Sequence, residues 1–382
     1  MVCNKRSLYI VISSYVQVDK KHGIDRVVKN IISHLLTQGN CYFYNIKPIY
    51  SIEGQEGYFI LDSLDEKSRP DRCSQHKKLT INVIKASDVI LLGLDRVLNS
   101  DILNFGILRD FKKKGVRLWF HFHDLMFYTN PEWFQSEKVT VQKSFLALLS
   151  EADGVLCVSE AVRKDLKLYL NKINKGSIPT RKYYLGSDFN NQPLSTFNPS
   201  TKVNNTNEKS SDRQNILVMV ATLNQRKGHK EVLSACRTLW EHGENFKLIL
   251  VGANDFASQT IVDQIHDLQR QNYPLVRYER ATDTDLAKIY QISDVLLMAS
   301  YAEGFGLPIV EAAQYGCHLL LRDIPVFREI GGEDAYYFSE EKSLRKGILQ
   351  ALEMCKKQPF VTSVKIKSWQ SCAQLLCKEL SY

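Results

Sequence analysis

Short apolar runs alternate with amphipathic segments along most of the chain. In the first half the runs are LYIVISSYV from Leu8, DVILLGL from Asp88, VRLWFHF from Val116 and GVLCVS from Gly154. In the second half they are NILVMVATL, FKLILVGAN, LVRYER, DVLLMAS and CHLLLRD. Continuous apolar runs of this length are typical of strands that are buried on both faces of a parallel sheet.

The intervening segments have the spacing of helices. Residues 24–36 place Ile, Val and Leu side chains at helical spacing directly after the first strand. Strands that alternate with helices predict the α/β class, here as two doubly wound Rossmann-like domains facing a central cleft. Ligands of such open sheets bind beyond the carboxyl ends of the strands.

A stretch rich in Asn, Ser, Thr and Pro separates the two halves. It covers residues 189–215 and has little apolar periodicity. A chain of 382 residues is also longer than one hydrophobic core usually supports. We therefore predict an N-terminal domain over 1–195, a linker over 196–214 and a C-terminal domain over 215–365.

Composition favours a soluble protein in a reducing compartment. The chain is 44% hydrophobic and 24% charged, and no apolar run approaches the length of a membrane span. We interpret the apolar run near the N-terminus as a buried strand rather than a signal peptide. The nine cysteines include no CxxC pair, which favours free thiols and a cytoplasmic location.

Positive charge is concentrated in the first half. Residues 1–198 contain 28 Lys and Arg against 20 Asp and Glu, whereas residues 199–382 contain 22 of each. A basic half could meet an anionic membrane, a phosphate-bearing acceptor or nucleic acid, or be a solvated surface without a partner. The aromatic and cationic residues of a nucleic-acid surface are not interleaved here, so we expect no nucleic acid.

The most specific motif is YAEGFGLPIVEAAQYG, which begins at Tyr301. A strand ends near Ser300, and Pro308 suits the first turn of the helix that follows. Gly304 and Gly306 let the backbone approach a ligand, and the helix start is a site for anions. The motif therefore predicts a phosphate-bearing ligand whose hydroxyls reach Glu303 and Glu311. The alternative is that both glutamates have only structural roles.

A basic loop follows the first strand of the second half. The sequence ATLNQRKGHKEVL places Arg226 and Lys227 at the carboxyl end of that strand, where two cations could neutralise a diphosphate. The chain contains neither GxxxxGK[ST] nor a GxGxxG after the first strand. A P-loop hydrolase and a dinucleotide oxidoreductase are therefore disfavoured.

These motifs resemble the retaining glycosyltransferases of the two-Rossmann-domain fold, called GT-B. The stretch AEGFGLPIVEAAQYG is similar to their E-x7-E signature and RKGH to their donor-diphosphate loop, and the resemblance covers about 214–338. It implies that 1–195 is the acceptor-side domain and 215–365 the nucleotide-sugar-binding domain. It also implies that 366–382 forms a helix that crosses back to the N-terminal domain.

The resemblance assigns roles to individual residues. Glu303 matches the glutamate near the donor sugar, and Glu311 the one that holds the ribose. The remaining matches in this half are the sugar- and phosphate-binding amides and the diphosphate-binding residues: Phe305, Gly306, Leu307, Lys227 and Arg226. Thr222 stands, with Ala221, where many members have Gly-Arg, so one phosphate-binding arginine is missing and Arg226 would compensate.

The first half offers three further residues. Gly23 matches the glycine that approaches the donor phosphate, although a plain strand-to-helix turn would also explain it. His123 and Asp124 match the pair at the cleft wall, where the histidine contacts the donor sugar or supports the acceptor. His121 shares a strand face with His123, so a His-x-His metal site and a purely structural pair are the alternatives.

No metal or other cofactor is expected. The tripeptide DTD, Asp283 to Asp285, imitates a metal-binding DxD motif, but its context predicts a helix cap at Thr282 or Asp283. The resemblance implies that the nucleoside diphosphate sugar is a substrate, the sugar donor, and not a cofactor.

The sequence thus predicts a nucleotide-sugar-dependent hexosyltransferase. Resemblance favours transfer of mannose or a related sugar, with GDP-mannose as donor, to a saccharide or lipid-linked saccharide acceptor. The expected pathway is surface polysaccharide or lipopolysaccharide assembly, with peripheral attachment to the inner face of the plasma membrane. A UDP-sugar epimerase on the same fold and a non-catalytic nucleotide- or nucleic-acid-binding protein remain as alternatives.

Overall fold

The chain forms two compact units in a computed structural model. The structure describes residues 5–17, 23–37, 44–61, 77–95, 103–188, 214–357 and 363–381. Unit 1 comprises Met1–Gly186 with Lys367–Tyr382, and unit 2 comprises Ser187–Ile366. The predicted linker, 196–214, lies outside the described residues except for its last position.

Strands and helices alternate in both units. The strands are β1 Arg6–Val11, β2 Tyr44–Tyr50, β3 Tyr58–Ile60, β4 Lys77–Leu79, β5 Val89–Leu92, β6 Arg117–Phe122, β7 Gly154–Cys157, β8 Thr180–Lys182, β9 Asn215–Val220, β10 Phe246–Val251, β11 Leu275–Tyr278, β12 Val295–Met298, β13 His318–Arg322 and β14 Tyr336–Phe338. The helices are α1 Ser13–Gln17, α2 Gly23–Thr37, α3 Phe105–Lys113, α4 Met126–Thr129, α5 Ser136–Leu149, α6 Glu160–Lys172, α7 His229–Glu241, α8 Gln259–Arg270, α9 Asp283–Ile292, α10 Leu307–Gln314, α11 Pro325–Gly331, α12 Glu341–Lys357 and α13 Trp369–Ser381.

Unit 1 contains a mixed sheet in the order β4-β3-β2-β1-β5-β6-β7-β8. The strands from β2 to β8 in this order pair in parallel, but β3 pairs antiparallel with both β2 and β4. The expectation of a wholly parallel sheet is therefore wrong at this edge. Residues 51–57 join β2 to β3 without a crossover helix, so these two strands pair as antiparallel neighbours do.

Unit 2 contains a six-stranded parallel sheet in the order β11-β10-β9-β12-β13-β14. The chain runs outward from β9 through β10 to β11 and then returns to β12, which pairs directly with β9. The two carboxyl ends at this reversal form a switch point, where open sheets bind ligands. Both predicted phosphate motifs follow these two strands.

The predicted apolar runs form the central strands. β5, β7, β12 and β13 are buried along their whole length, as expected for strands covered on both faces. Helix α13 packs against α2 in unit 1, where Tyr183 Oη donates a 2.8 Å hydrogen bond to the Cys372 carbonyl. The C-terminal helix thereby helps to close the core of unit 1.

Five described cysteines are free thiols: Cys157, Cys236, Cys317, Cys355 and Cys372. Cys377 is disulfide-bonded, so the expectation of free thiols throughout is wrong at that position.

None of the helices in the described ranges has the length and apolar character needed to cross a membrane.

Candidate functional site

The candidate site is built on the carboxyl ends of β9 and β12. Leu217 and Val218 of β9 pair with Val295 and Leu296 of β12, so the loops that follow these strands begin side by side. Thr222 lies two residues beyond β9 and is half-buried. The two loops bring together residues that are far apart in the sequence.

The loop after β9 is shaped by close contact with β12. Residues Gln225–Lys227 form one turn of 3₁₀-helix, and α7 starts after Gly228, whose φ is +75°. A Cβ on Gly228 would lie 2.2 Å from the carbonyl oxygen of Ala299. Only glycine fits there, because the position needs both a left-handed backbone and room for Ala299, directly after β12. This explains the glycine of RKGH.

The loop after β12 turns sharply into α10. Gly306 is the residue before the helix and has a φ of +89°, while Leu307 and Pro308 occupy the first turn as the sequence predicts. The Ile309 N–H donates a 2.9 Å hydrogen bond to the Gly306 carbonyl, and Phe305 is buried. The positive end of the α10 dipole therefore lies at this turn, where it favours an anion.

Lys227 and Glu303 form an ion pair between the two loops, and each side chain is only 12% exposed. Ser300 Oγ donates a 2.8 Å hydrogen bond to Glu303 Oε1, and Arg226 Nη1 lies 3.9 Å from Glu303 Oε2. Burial by itself raises the pKa of Glu303. The charges of Lys227 and Arg226, with the hydrogen bonds from Lys227 and Ser300, outweigh burial and hold this pKa below its usual value. Glu303 is therefore a carboxylate at neutral pH.

Glu311 lies on the inner side of α10 rather than at the ion pair. It is 2% exposed, and Oε2 accepts a 2.9 Å hydrogen bond from Tyr290 Oη of α9. The Tyr290 ring is stacked on Tyr315, with centroids 5.9 Å apart. The two glutamates of the motif thus have different surroundings, one paired with cations and one held by a tyrosine hydroxyl.

The predicted residues of the first half lie at the equivalent edge of unit 1. Gly23 begins α2, and a Cβ there would meet nothing within 4 Å. His123 follows β6, and its Nε2 donates a 3.1 Å hydrogen bond to the Leu94 carbonyl. Burial lowers the pKa of His123, although this hydrogen bond and Asp124 oppose the shift. Asp124 Oδ1 accepts from the Met126 N–H at 3.0 Å, which stabilises the start of α4.

His121 lies behind His123. Its ring is fully buried, 4.7 Å from the His123 ring, and neither ring nitrogen has a hydrogen-bond partner among the residues that the structure describes. Burial and the neighbouring His123 lower the pKa of His121 well below its usual value. In the described ranges, no group of three or more His, Cys, Asp or Glu side chains is placed to hold a metal ion.

Thr282, directly before the DTD tripeptide, forms the predicted helix cap. Thr282 Oγ1 accepts from the Asp285 N–H at 3.1 Å, and Asp285 Oδ2 accepts from the Thr282 N–H at 3.1 Å. This reciprocal pair is a capping box at the start of α9. The hydrogen bonds from Thr282 lower the pKa of Asp285.

A buried arginine that contacts the loop after β12 was not expected from the sequence. Arg322 is 5% exposed at the end of β13, and its Nε donates a 2.8 Å hydrogen bond to the Ala299 carbonyl of the loop after β12. It also forms an ion pair with Glu231 of α7. The position of Arg322 at the end of the apolar run CHLLLRD could have indicated a buried cation. Its partner could not be predicted, because Glu231 lies on α7.

Comparison with known proteins agrees with this architecture. Residues 201–359 match the family described as glycosyl transferases group 1. The serotype-specific mannosyltransferase WbdA of Escherichia coli is 29% identical over 98% of this chain and 45% of its own length. The O-antigen chain mannosyltransferase B of Escherichia coli is 25% identical over 66% of each chain. The chain thus spans about half the length of the WbdA sequence that it matches.

Solved structures share the fold at low sequence identity. Sucrose-phosphate synthase from Thermosynechococcus elongatus superposes with a TM-score of 0.63 and 14% identity, over 98% of this chain and 95% of that one. Anabaena HepE, in complex with UDP and glucose, gives a TM-score of 0.58 and 16% identity over the same shares. Residues 201–359 are thus similar to the glycosyl transferases group 1, and the chain shares the GT-B fold of these solved structures.

Proposed function

We propose that this protein is a retaining glycosyltransferase that moves a hexose from a nucleoside diphosphate sugar to a saccharide or lipid-linked saccharide acceptor. We favour mannose or a related sugar, with GDP-mannose as donor, and surface polysaccharide or lipopolysaccharide assembly as the pathway. The family supports the reaction type, and two relatives named as mannosyltransferases support the sugar. The observation that carries the proposal is the contact of Lys227 with Glu303 beside the start of α10.

The ion pair suits a sugar diphosphate because it places cations, which bind phosphate, next to a carboxylate, which accepts hydrogen bonds from sugar hydroxyls. The bond between the anomeric carbon and the diphosphate oxygen breaks, and the nucleoside diphosphate leaves with the bonding electrons. Lys227, Arg226 and the backbone from Phe305 to Leu307 would stabilise this negative charge. Glu303, in contact with Lys227, would accept hydrogen bonds from the hydroxyls of the sugar.

The acceptor oxygen then replaces the diphosphate at the anomeric carbon. It forms a bond to the anomeric carbon on the face that the diphosphate leaves, and its proton passes to a phosphate oxygen of the leaving group. This course retains the anomeric configuration and needs no protein nucleophile. We propose that positive charge from Lys227 and Arg226 serves in place of a metal ion.

The other assigned residues have supporting roles in this proposal. Glu311 would hold the ribose, with Tyr290 orienting its carboxylate. Thr222 would lie beside the diphosphate, and Gly23 would have the phosphate-binding role that the resemblance implies. His123, neutral and oriented by the Leu94 carbonyl, would contact the donor sugar or support the acceptor, with Asp124 beside it.

An anionic membrane is the proposed partner of the basic half, which would place the protein in the cytoplasm at the inner face of the plasma membrane. Helix α6 exposes Lys164, Lys167 and Lys172 together with Leu168, whose exposure is 70%. Exposed lysines beside an apolar side chain are attracted to anionic lipid headgroups.

A thermal-shift panel tests the donor. A ligand that binds only the folded protein raises the melting temperature. We expect GDP-mannose and GDP to raise it more than UDP-glucose, UDP-N-acetylglucosamine and UDP. A melting temperature that no nucleotide or nucleotide sugar changes would overturn the proposal, and conversion of a UDP-sugar without an acceptor would favour the epimerase instead.

A further inference from the structure

Tyr301 is an exposed aromatic residue beside the ion pair. It is 43% exposed and lies two residues before Glu303 in the loop after β12. Its backbone N–H donates a 2.8 Å hydrogen bond to the carbonyl oxygen of Arg226, so the two loops of the candidate site are joined at this residue. The backbone of Tyr301 is therefore held close to Lys227 and Glu303 in the sequence of the two loops.

One face of the Tyr301 ring is covered from inside the protein. The guanidinium carbon of Arg322 lies over this ring, 4.1 Å from the centroid. Arg322 is itself buried, so the covered face is the inner one. The exposed part of Tyr301 is consequently the opposite face with the ring edge.

The ring is also held at its hydroxyl. Tyr301 Oη donates a 2.7 Å hydrogen bond to Glu231 Oε1, and the other oxygen of Glu231 pairs with Arg322. Arg322 is anchored in turn by hydrogen bonds to the carbonyls of Ala299 at 2.8 Å and Ser339 at 3.1 Å. An exposed side chain with both its ring and its hydroxyl fixed loses little conformational entropy when it binds a ligand.

We propose that the outer face of Tyr301 is a stacking platform for a pyranose ring. This inference rests on the proposed function, since it assigns a sugar subsite to the same transfer site. The apolar face of a pyranose, formed by its C–H groups, packs on the flat face of an aromatic ring. The donor hexose and the saccharide acceptor are the two sources of such a ring at this place.

Binding measurements on Tyr301→Ala and Tyr301→Phe test the platform. Phenylalanine retains the ring and loses the hydroxyl, whereas alanine removes both. Mannotriose binding is measured with and without GDP, and GDP-mannose binding is compared with GDP binding. Tyr278, 44% exposed at the end of β11, supplies the matched control Tyr278→Ala.

For the acceptor sugar as source, we expect Tyr301→Ala to weaken mannotriose binding about fivefold or more, the scale of one aromatic contact. For the donor sugar, the same variant weakens GDP-mannose but not GDP. In both cases Tyr301→Phe stays within about twofold of the wild type, and Tyr278→Ala retains wild-type affinity for mannotriose.

Three results would overturn the platform. The first is that Tyr301→Ala binds mannotriose and GDP-mannose with wild-type affinity. The second is that Tyr301→Phe loses as much affinity for these ligands as Tyr301→Ala. The third is that Tyr301→Ala loses as much affinity for GDP as for the sugar ligands. A wild-type protein that binds neither GDP nor GDP-mannose contradicts the proposed donor instead. In that case the stacking platform is tested by mannotriose binding measured without nucleotide.

Discussion

His229 is a buried residue at the start of α7 whose protonation affects the stability of the fold. It is the first residue of α7 and 1% exposed, and its Nδ1 has no hydrogen-bond partner in the part of the chain that is described. Burial lowers the pKa of His229 to about 4, and the charges of Lys227 and Arg277 act in the same direction. Hydrogen bonds to the backbone of Asn224 and Ala221 oppose the shift. The folded protein therefore keeps this ring neutral at a pH where an unfolded chain protonates it.

The pKa shift of His229 predicts a loss of stability in acid. Because the folded pKa is below the unfolded value of 6.5, the unfolded state binds the proton first, and stability falls as the pH falls from 6.5 to about 4. We expect the difference in unfolding free energy between the wild type and His229→Gln to change by about 3 kcal/mol over this window.

Urea unfolding at a series of pH values measures this effect. The exposed His266 of α8 gives the control variant His266→Gln, which should keep the wild-type pH dependence. Parallel pH profiles for the wild type and His229→Gln would contradict the account.

Residue types at the site were largely predictable, but their contacts were not. Arg226, Lys227 and Glu303 stand out in the sequence because they flank glycine turns after apolar strands. The Lys227–Glu303 pair joins residues 76 positions apart, and its existence depends on β9 lying beside β12. The sequence pattern fixes which elements form, whereas strand order decides which loops meet.

At the scale of elements, the turn that opens α7 depends on one glycine. Gly228 needs a left-handed backbone, and an added Cβ would lie 2.2 Å from the Ala299 carbonyl oxygen. Gly243 has a similar φ of +87°, but a Cβ there would meet nothing within 4 Å. Substitution at Gly243 would therefore cause backbone strain alone, whereas substitution at Gly228 would also cause a collision with Ala299.

We expect Gly228→Ala to cost clearly more stability than Gly243→Ala. Gly243→Ala should lower the unfolding free energy by about 1 kcal/mol, the cost of a left-handed alanine. Gly228→Ala should cost about 3 kcal/mol or more, because β12 or the loop must also move. Denaturant unfolding of both variants gives the comparison, and equal losses would mean that the Ala299 contact relaxes freely.

The elements themselves followed from local patterns to different degrees. Apolar runs located β1, β5, β6, β7 and all but the last strand of unit 2, and the Thr282 cap followed from its acidic first turn. The three-residue strands β3 and β4 were not predictable, because a short segment such as KKL has too few positions to show alternation. The connection from β2 to β3 contains no crossover helix, which no sequence pattern predicted.

At the scale of the whole molecule, the two units differ in charge and in the chemistry they contribute. Unit 2 brings together the cations, the carboxylates and the helix start of the two predicted phosphate motifs, and unit 1 holds His123 and Asp124. The basic excess lies in the first half of the sequence. Composition and length indicate two halves in the sequence, whereas the Arg322 network required the fold, since Glu231 and Arg322 are 91 residues apart.

The most direct test of the central claim is the turnover of Lys227→Ala with GDP-mannose and a mannose-containing acceptor. We expect a fall of roughly 10²–10³-fold, the scale of losing one group that stabilises an oxyanion. Lys230, an exposed lysine three positions after Lys227 and the second residue of α7, gives the control variant Lys230→Ala, which should keep wild-type turnover. Melting temperatures of both variants show whether each protein is folded. Turnover of folded Lys227→Ala close to that of the wild type would contradict the account.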